Sequence, residues 1–176
     1  MPDGSTATMK NAPSSLATPT DLDKKPVDHV TLALNTLLAD VFALYVKTKS
    51  FHWHMSGPHF RDWHLMLDDQ ADDLLAMTDV LAERVRKLGG LTLHSIGEIA
   101  RYQRVKDNDD AHVRPHAMLV ELRDDNGAMA HAMRKAHAKC EEANDIGTAS
   151  ILETFIDETE RRTWFLFETT RDHADK

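Results

Sequence analysis

Five side chains in the stretch 47–90 could do chemistry together: His52, His64, Asp68, Asp79 and Glu83. Imidazole nitrogens and carboxylate oxygens, without thiolates, suit iron, manganese or zinc better than calcium or the soft ions. His64 and Asp68 are four residues apart, as are Asp79 and Glu83, so on a helix each pair shares a face. Asp68 and Asp79 are eleven residues apart, close to three whole turns, which puts both pairs on one stripe. Along the axis the pairs are about 16 Å apart at 1.5 Å per residue. Metal–ligand bonds are near ~2 Å, so one subunit cannot close a site from all of them. A second copy of the helix, antiparallel and crossing near Asp73, would face His64 and Asp68 of one subunit with Asp79 and Glu83 of the other. Twofold symmetry makes two equivalent sites, and His52 from the preceding helix completes each. The plainer alternative is that the carboxylates are ordinary exposed charges, a common pattern at this spacing. Two histidines on adjacent helices, Trp53 beside His52 and the intervening Gly57-Pro58 weigh against it.

The elements that must position these residues are helical. Val27, Val30, Leu34, Leu37, Leu38, Val41, Leu44 and Tyr45 recur at spacings of three and four, predicting a helix to about Met55 that ends at Gly57-Pro58. A second helix is predicted from about Pro58 to Leu88, with Leu65, Leu67, Leu74, Leu75, Met77, Val80, Leu81 and Val85 as apolar positions and Gly89-Gly90 as its stop. Residues 91–113 form a long connection with a short helix within HSIGEIARYQ. A third helix covers about Arg114–Ala143, with Met118, Leu119, Leu122, Met129 and Met133 as core candidates. A fourth covers about Thr148–His173, with Ile151, Leu152, Phe155, Ile156, Trp164, Phe165 and Phe167. The reading is all-α: a four-helix bundle over 27–176 with one long crossover. Residues 1–26, rich in Ser, Thr, Pro and Ala, are expected to be a disordered tail. No Glu-x-x-His occurs, which disfavours a di-iron centre built inside one bundle from such motifs.

Composition limits the partners. The chain of 176 residues has net charge −8, which argues against a dominant nucleic-acid surface. The tail sets Lys10, Lys24 and Lys25 against Asp3, Asp21 and Asp23, without the cation excess that phosphate binding needs. No apolar run approaches the roughly 20 residues of a membrane span, and no secretory signal is evident. Cys140 is the only cysteine, which suits a reducing compartment. A cytoplasmic protein is expected.

The segments KTKSFHWHMSGPHF, DWHLMLDDQ and DVLAERVRKLGG resemble the DNA-protection-during-starvation (Dps) family of mini-ferritins. Weaker similarity spans 28–168, including DIGTASIL and the Trp164 region. The resemblance implies a ferritin-like subunit in a hollow homo-dodecamer, and iron as the metal. His52, His64 and Asp68 would come from one subunit, and Asp79 and Glu83 from its twofold mate. It implies a ferroxidase that oxidises Fe(II) with hydrogen peroxide, and with oxygen more slowly, and stores ferric mineral. Zinc takes the same ligands and is the expected competitor. Trp53 would lie beside the iron site, as a quencher of one-electron oxidants or as a buried interface aromatic. Glu141, Glu142 and Asp145, with Glu153, are candidates for an acidic pore, although Ser150 stands where some relatives are acidic. Arg84 is expected to pair with a carboxylate across the twofold interface. DNA binding, with a nucleoid-compacting role and secondary metal binding, is the alternative from another class.

Overall fold

The computed structural model describes residues 12–171. After a single 3-10 turn, Ser14–Leu16, come α1 (Lys24–His54), α2 (Phe60–Lys87), α3 (Ile96–Tyr102), α4 (Pro115–Glu142) and α5 (Ile146–Thr170), with no strand among the described residues. The four long helices pack as a bundle: α1 lies against α2 and α4, α4 against α5, and the crossover carrying α3 runs along α1. Short turns make α1/α2 and α4/α5 antiparallel neighbours, and the long link between α2 and α4 is the single crossover.

Local chemistry sets the helix ends. Gly57 turns the chain at φ 96°, and the Phe60 amide closes that turn on the Gly57 carbonyl at 3.0 Å. Consequently α2 begins at Phe60, after Pro58 and not at it. At its other end the Gly90 amide bonds back to the Val85 carbonyl (3.0 Å), with Gly89 in the left-handed region at φ 80°, a common helix stop. A Cβ on Gly89 would meet the Thr18 carbonyl oxygen at 2.7 Å. The segment before α1 therefore crosses the end of α2 closely, and Arg86 Nη2 donates to the Leu16 carbonyl (2.6 Å). Of the expected tail, residues 1–11 lie outside the described residues. Ser95 caps α3 by accepting from the Glu98 amide (3.2 Å), and Asp145 caps α5 by accepting from the Thr148 amide (3.0 Å).

The core is Leu-rich: Leu34, Leu37, Leu67, Leu74, Leu81, Leu119, Leu122, Leu152 and Leu166 are all but inaccessible. Six of the apolar residues picked out on the predicted helices lie outside the core. Leu65, Leu75 and Val80 of α2 and Trp164, Phe165 and Phe167 of α5 are exposed, because a 3.6-residue period places them outside the stripe facing α1 and α4. The most apolar 18 residues of α1 have a mean hydropathy of 1.5, enough to suit a bilayer by composition. Two buried polar residues interrupt this stretch and are spent on the crossover. Asn35 Nδ2 donates to the Leu91 carbonyl (2.9 Å), and Asp40 accepts from the Arg104 amide (2.6 Å) and guanidinium. The bundle interior holds a guanidinium. Arg162, 2% exposed, donates to Asn126 Oδ1 (3.0 Å) and Thr159 Oγ1 (2.7 Å), beside Met77. A cation fixed there opposes any metal centre inside the bundle.

Candidate metal centre

His52 sits in the last turn of α1 and His64 in the first turns of α2. The tight turn between them folds α2 back along α1, and the two rings stack with centroids 3.7 Å apart and planes 21° from parallel. Each ring is bonded to the other's main chain: His52 Nδ1 to the His64 carbonyl at 2.8 Å, and His64 Nδ1 to the His52 carbonyl at 2.9 Å. A carbonyl oxygen only accepts, so each Nδ1 carries a proton. In the neutral rings both Nε2 lone pairs are then free, the tautomer that a metal ligand requires.

Asp68 stands one turn further along α2, its Oδ1 3.7 Å from His52 Nε2. The same oxygen receives Lys49 Nζ at 2.5 Å. The Lys49 bond is the main cause that holds the Asp68 carboxyl below its ordinary range, aided by His52 and His64. Asp68 in turn pushes the Lys49 ammonium up. Asp68 is thus an anion by default, neutralised by an ammonium three residues before His52. Sequence reasoning missed this lysine, although Lys49 lies within the quoted KTKS and one turn from His52.

Asp79 and Glu83 are exposed further along α2. Glu83 pairs with Lys87 (3.1 Å), and Asp79 makes no hydrogen bond or ion pair among the described residues. No three His, Cys, Asp or Glu side chains among the described residues are grouped closely enough to hold a metal ion. The single chain stacks His52 on His64 with Asp68 beside His52 but does not close a site from them, and it leaves Asp79 and Glu83 apart. At about 100° per residue, positions 64, 68, 72, 75, 79 and 83 fall on one face of α2 within about 100° of arc. Asp73, expected at the twofold crossing, points elsewhere and pairs with Arg161 of α5 (2.9 Å). The centre of the exposed stripe is Asp72 and Leu75.

Several other residues named from the sequence have different surroundings. Arg84 pairs within its own chain, with Asp145 at 2.5 Å and Thr148 Oγ1 at 2.7 Å. It does so because the α4–α5 turn lies against the end of α2. That use buries Asp145, at 2% exposed, and removes it from any pore lining, whereas Glu141 and Glu153 are exposed and flank His137. Trp53 projects outward, 65% exposed. His54 bonds the Ser50 carbonyl (2.7 Å), and His59 packs on Trp63; neither joins the His52–His64 pair.

Residues 31–173 match the family model described as a ferritin-like domain. The chain is 33% identical over 149 residues to a DNA protection during starvation protein of Agrobacterium fabrum, covering 85% of this chain and 92% of that one. It superposes on an archaeal Dps homologue from Halobacterium salinarum with TM-score 0.86 at 26% identity, covering 99% of this chain and 96% of that one. It also superposes on a Vibrio cholerae Dps protein with TM-score 0.82 at 27% identity, covering 92% and 100%. The latter is described as a member of a broad superfamily of ferritin-like diiron-carboxylate proteins.

Proposed function

The chain belongs to the ferritin-like family, on its Dps branch, and we propose that it oxidises Fe(II) at paired sites between twofold-related subunits and stores the ferric product in a hollow dodecamer. The observation that carries this reading is the His52–His64 clasp, which presents two free Nε2 atoms beside the Asp68 carboxylate. It is an open half-site. Asp79 and Glu83, on the same face of α2, supply the other half when a second α2 lies antiparallel across it. Imidazole with carboxylate fits iron, and carboxylates favour the higher charge of Fe(III).

Iron is the substrate here, with hydrogen peroxide as the preferred oxidant and oxygen a slower one. Two Fe(II) each give up one electron, the O–O bond breaks, and two protons taken up complete two waters. Supplying both electrons together releases no hydroxyl radical. Lys49 adds a constraint, because its ammonium must leave Asp68 Oδ1 before that oxygen binds a cation. So small a ligand set holds the first iron more firmly than the second. Trp53, next in sequence to His52, serves as a sink for a stray one-electron oxidant at the subunit interface. Zinc competes for the same donors. The buried free thiol of Cys140, its pKa pushed up to about 12 mainly by burial, is inert, in keeping with a reducing cytoplasm. DNA is protected by removal of iron and peroxide, which needs no DNA contact. Direct DNA binding is the second reading; relatives are DNA protection during starvation proteins, which is compatible with binding but does not require it, and the net charge of −8 opposes it.

The test is anaerobic Fe(II) loading of the metal-free assembly, followed by peroxide, with ferric absorbance and hydroxyl-radical trapping read together. Fast ferric formation with little trapped radical is expected. His52→Ala and Asp79→Ala should each slow oxidation at least about tenfold, the lower end of what losing even an outer-shell partner of a metal ligand costs, with the shell intact. Wild-type rates in both variants would refute the ligand assignment. A gel shift at physiological salt separates the second reading.

A further inference from the structure

Behind the exposed stripe of α2 lies a cleft of about 470 Å³, floored by α1 and α2 and closed by the crossover around α3. Five polar side chains line it: Thr78, Asp79, Thr92, His94 and Ser95. Two are committed elsewhere, since Thr78 donates to the Leu75 carbonyl (2.6 Å) and Ser95 caps α3. The other three are open. Thr92 Oγ1 is buried with no hydrogen-bond partner among the described residues, Asp79 makes no hydrogen bond or ion pair among them, and His94 has one nitrogen to spare.

His94 is held from one side. Its backbone amide donates to Glu98 Oε2 at 2.7 Å, and its Nδ1 lies 3.3 Å from the same oxygen. Arg101 stands 3.7 Å from the other Glu98 oxygen. The bond from the His94 amide is the main cause keeping the Glu98 carboxyl below its ordinary range, so Glu98 accepts and Nδ1 donates. The Nε2 lone pair then faces away from Glu98, with the ring exposed to solvent. A carboxylate behind an imidazole is the arrangement that orients histidine metal ligands and raises their basicity.

We propose that His94, oriented by Glu98, and Asp79 form a two-donor relay site in this cleft for a hydrated divalent transition-metal ion, which in the cell is Fe(II). Imidazole and carboxylate supply two positions, and water and the Thr92 hydroxyl complete the shell. With no third titratable ligand the site binds weakly, so it passes iron on. The relay rests on the proposed function only in that Asp79 also belongs to the oxidation centre: iron taken up at His94 reaches that centre through a shared carboxylate.

The experiment soaks crystals of the assembled, metal-free protein with Co(II), which the site cannot oxidise under these conditions, and collects anomalous data at the cobalt edge. Solution titration calorimetry of the same proteins runs in parallel. The expected result is a cobalt peak bonded to His94 Nε2 and within coordination reach of Asp79, absent in His94→Ala. Glu98→Gln, which removes the orienting charge but keeps the shape, should weaken binding at this peak about tenfold or more. In a His52→Ala background the weak calorimetric phase should persist, and it should vanish when His94→Ala is added. Cobalt at His52, His64 and Asp68 but none at His94 overturns the relay and leaves the oxidation centre standing. Cobalt on His94 out of reach of Asp79 also overturns it. Cobalt at neither place, with the shell intact, overturns both readings.

Discussion

In the proposed centre an ammonium and a metal ion would contend for one oxygen atom of Asp68, which Lys49 now holds. Replacing Lys49 by Met removes one contender without touching a proposed ligand, so Co(II) or Zn(II) should bind more tightly, by up to about fivefold, the range of a modest exposed ion pair. Calorimetry checks this, and unchanged affinity with an intact shell would mean that Lys49 yields freely. Part of this site was legible from spacing, because i and i+4 on a helix fix a face. His64 with Asp68, and Asp79 with Glu83, needed nothing more. The clasp between His52 and His64 was not legible. It depends on how sharply the turn at Gly57 brings α2 back against α1, and no residue type at positions 52 or 64 encodes a bond to the other's carbonyl. Arg84 shows the same limit: its partner Asp145 is 61 residues away in the chain, across a turn whose docking site no local pattern reveals.

Among the helices, α1 and α4 are tied by one buried cation. Lys47, 7% exposed, bonds Asp125 at 2.7 Å and Glu121 at 2.9 Å, and Asn108 of the crossover donates to Glu121 as well (2.8 Å). Burial alone would lower the Lys47 pKa, but the bonds to Asp125 and then Glu121 outweigh it and the ammonium is held above its usual value. Asp125 is also raised, first by burial, with Lys47 only partly compensating. The two shifts point opposite ways for the pair, and the short geometry favours the bonded ionic form at neutral pH. Lys47→Met should cost about 2–3 kcal/mol, less than a fully buried pair because both acids keep some solvent. A raised lysine contributes stability that is complete below its ordinary pKa and fades as pH rises through the folded value. The Tm gap between wild type and Lys47→Met should therefore hold through neutral pH and narrow only in strong alkali. Mild acid brings no loss through Asp125, whose raised pKa favours protonation in the fold. Element number, order and type followed from apolar periodicity, and the short α3 falls within the HSIGEIARYQ stretch where the sequence predicts a short helix, its Ser95 cap visible only in the structure. The apolar residues Leu65, Leu75, Val80, Trp164, Phe165 and Phe167, which the bundle leaves exposed, share a cause. A hydrophobic period marks what is covered, and a single chain does not tell cover by its own helices from cover by another copy.

For the molecule as a whole, that ambiguity becomes an argument. Leu75 is 43% exposed at the centre of the α2 stripe, which is where a second α2 would cross. Leu75→Arg should leave helix content by circular dichroism unchanged, since the residue packs on nothing in its own bundle core. In sedimentation the assembly should break down, and peroxide-driven iron oxidation should fall with it. A shell of wild-type size and rate would place the interface elsewhere. The separation of the two carboxylate-bearing turns along α2 has a consequence for inheritance. If each centre draws His52 from one chain and Asp79 from another, activity belongs to pairs of chains. In a cell producing both His52→Ala and Asp79→Ala chains, a mixed pair has one centre carrying both lesions and one carrying neither. Random pairing would leave about a quarter of all centres whole, so two inactive alleles of one gene would complement each other. A single allele carrying both substitutions would rescue neither.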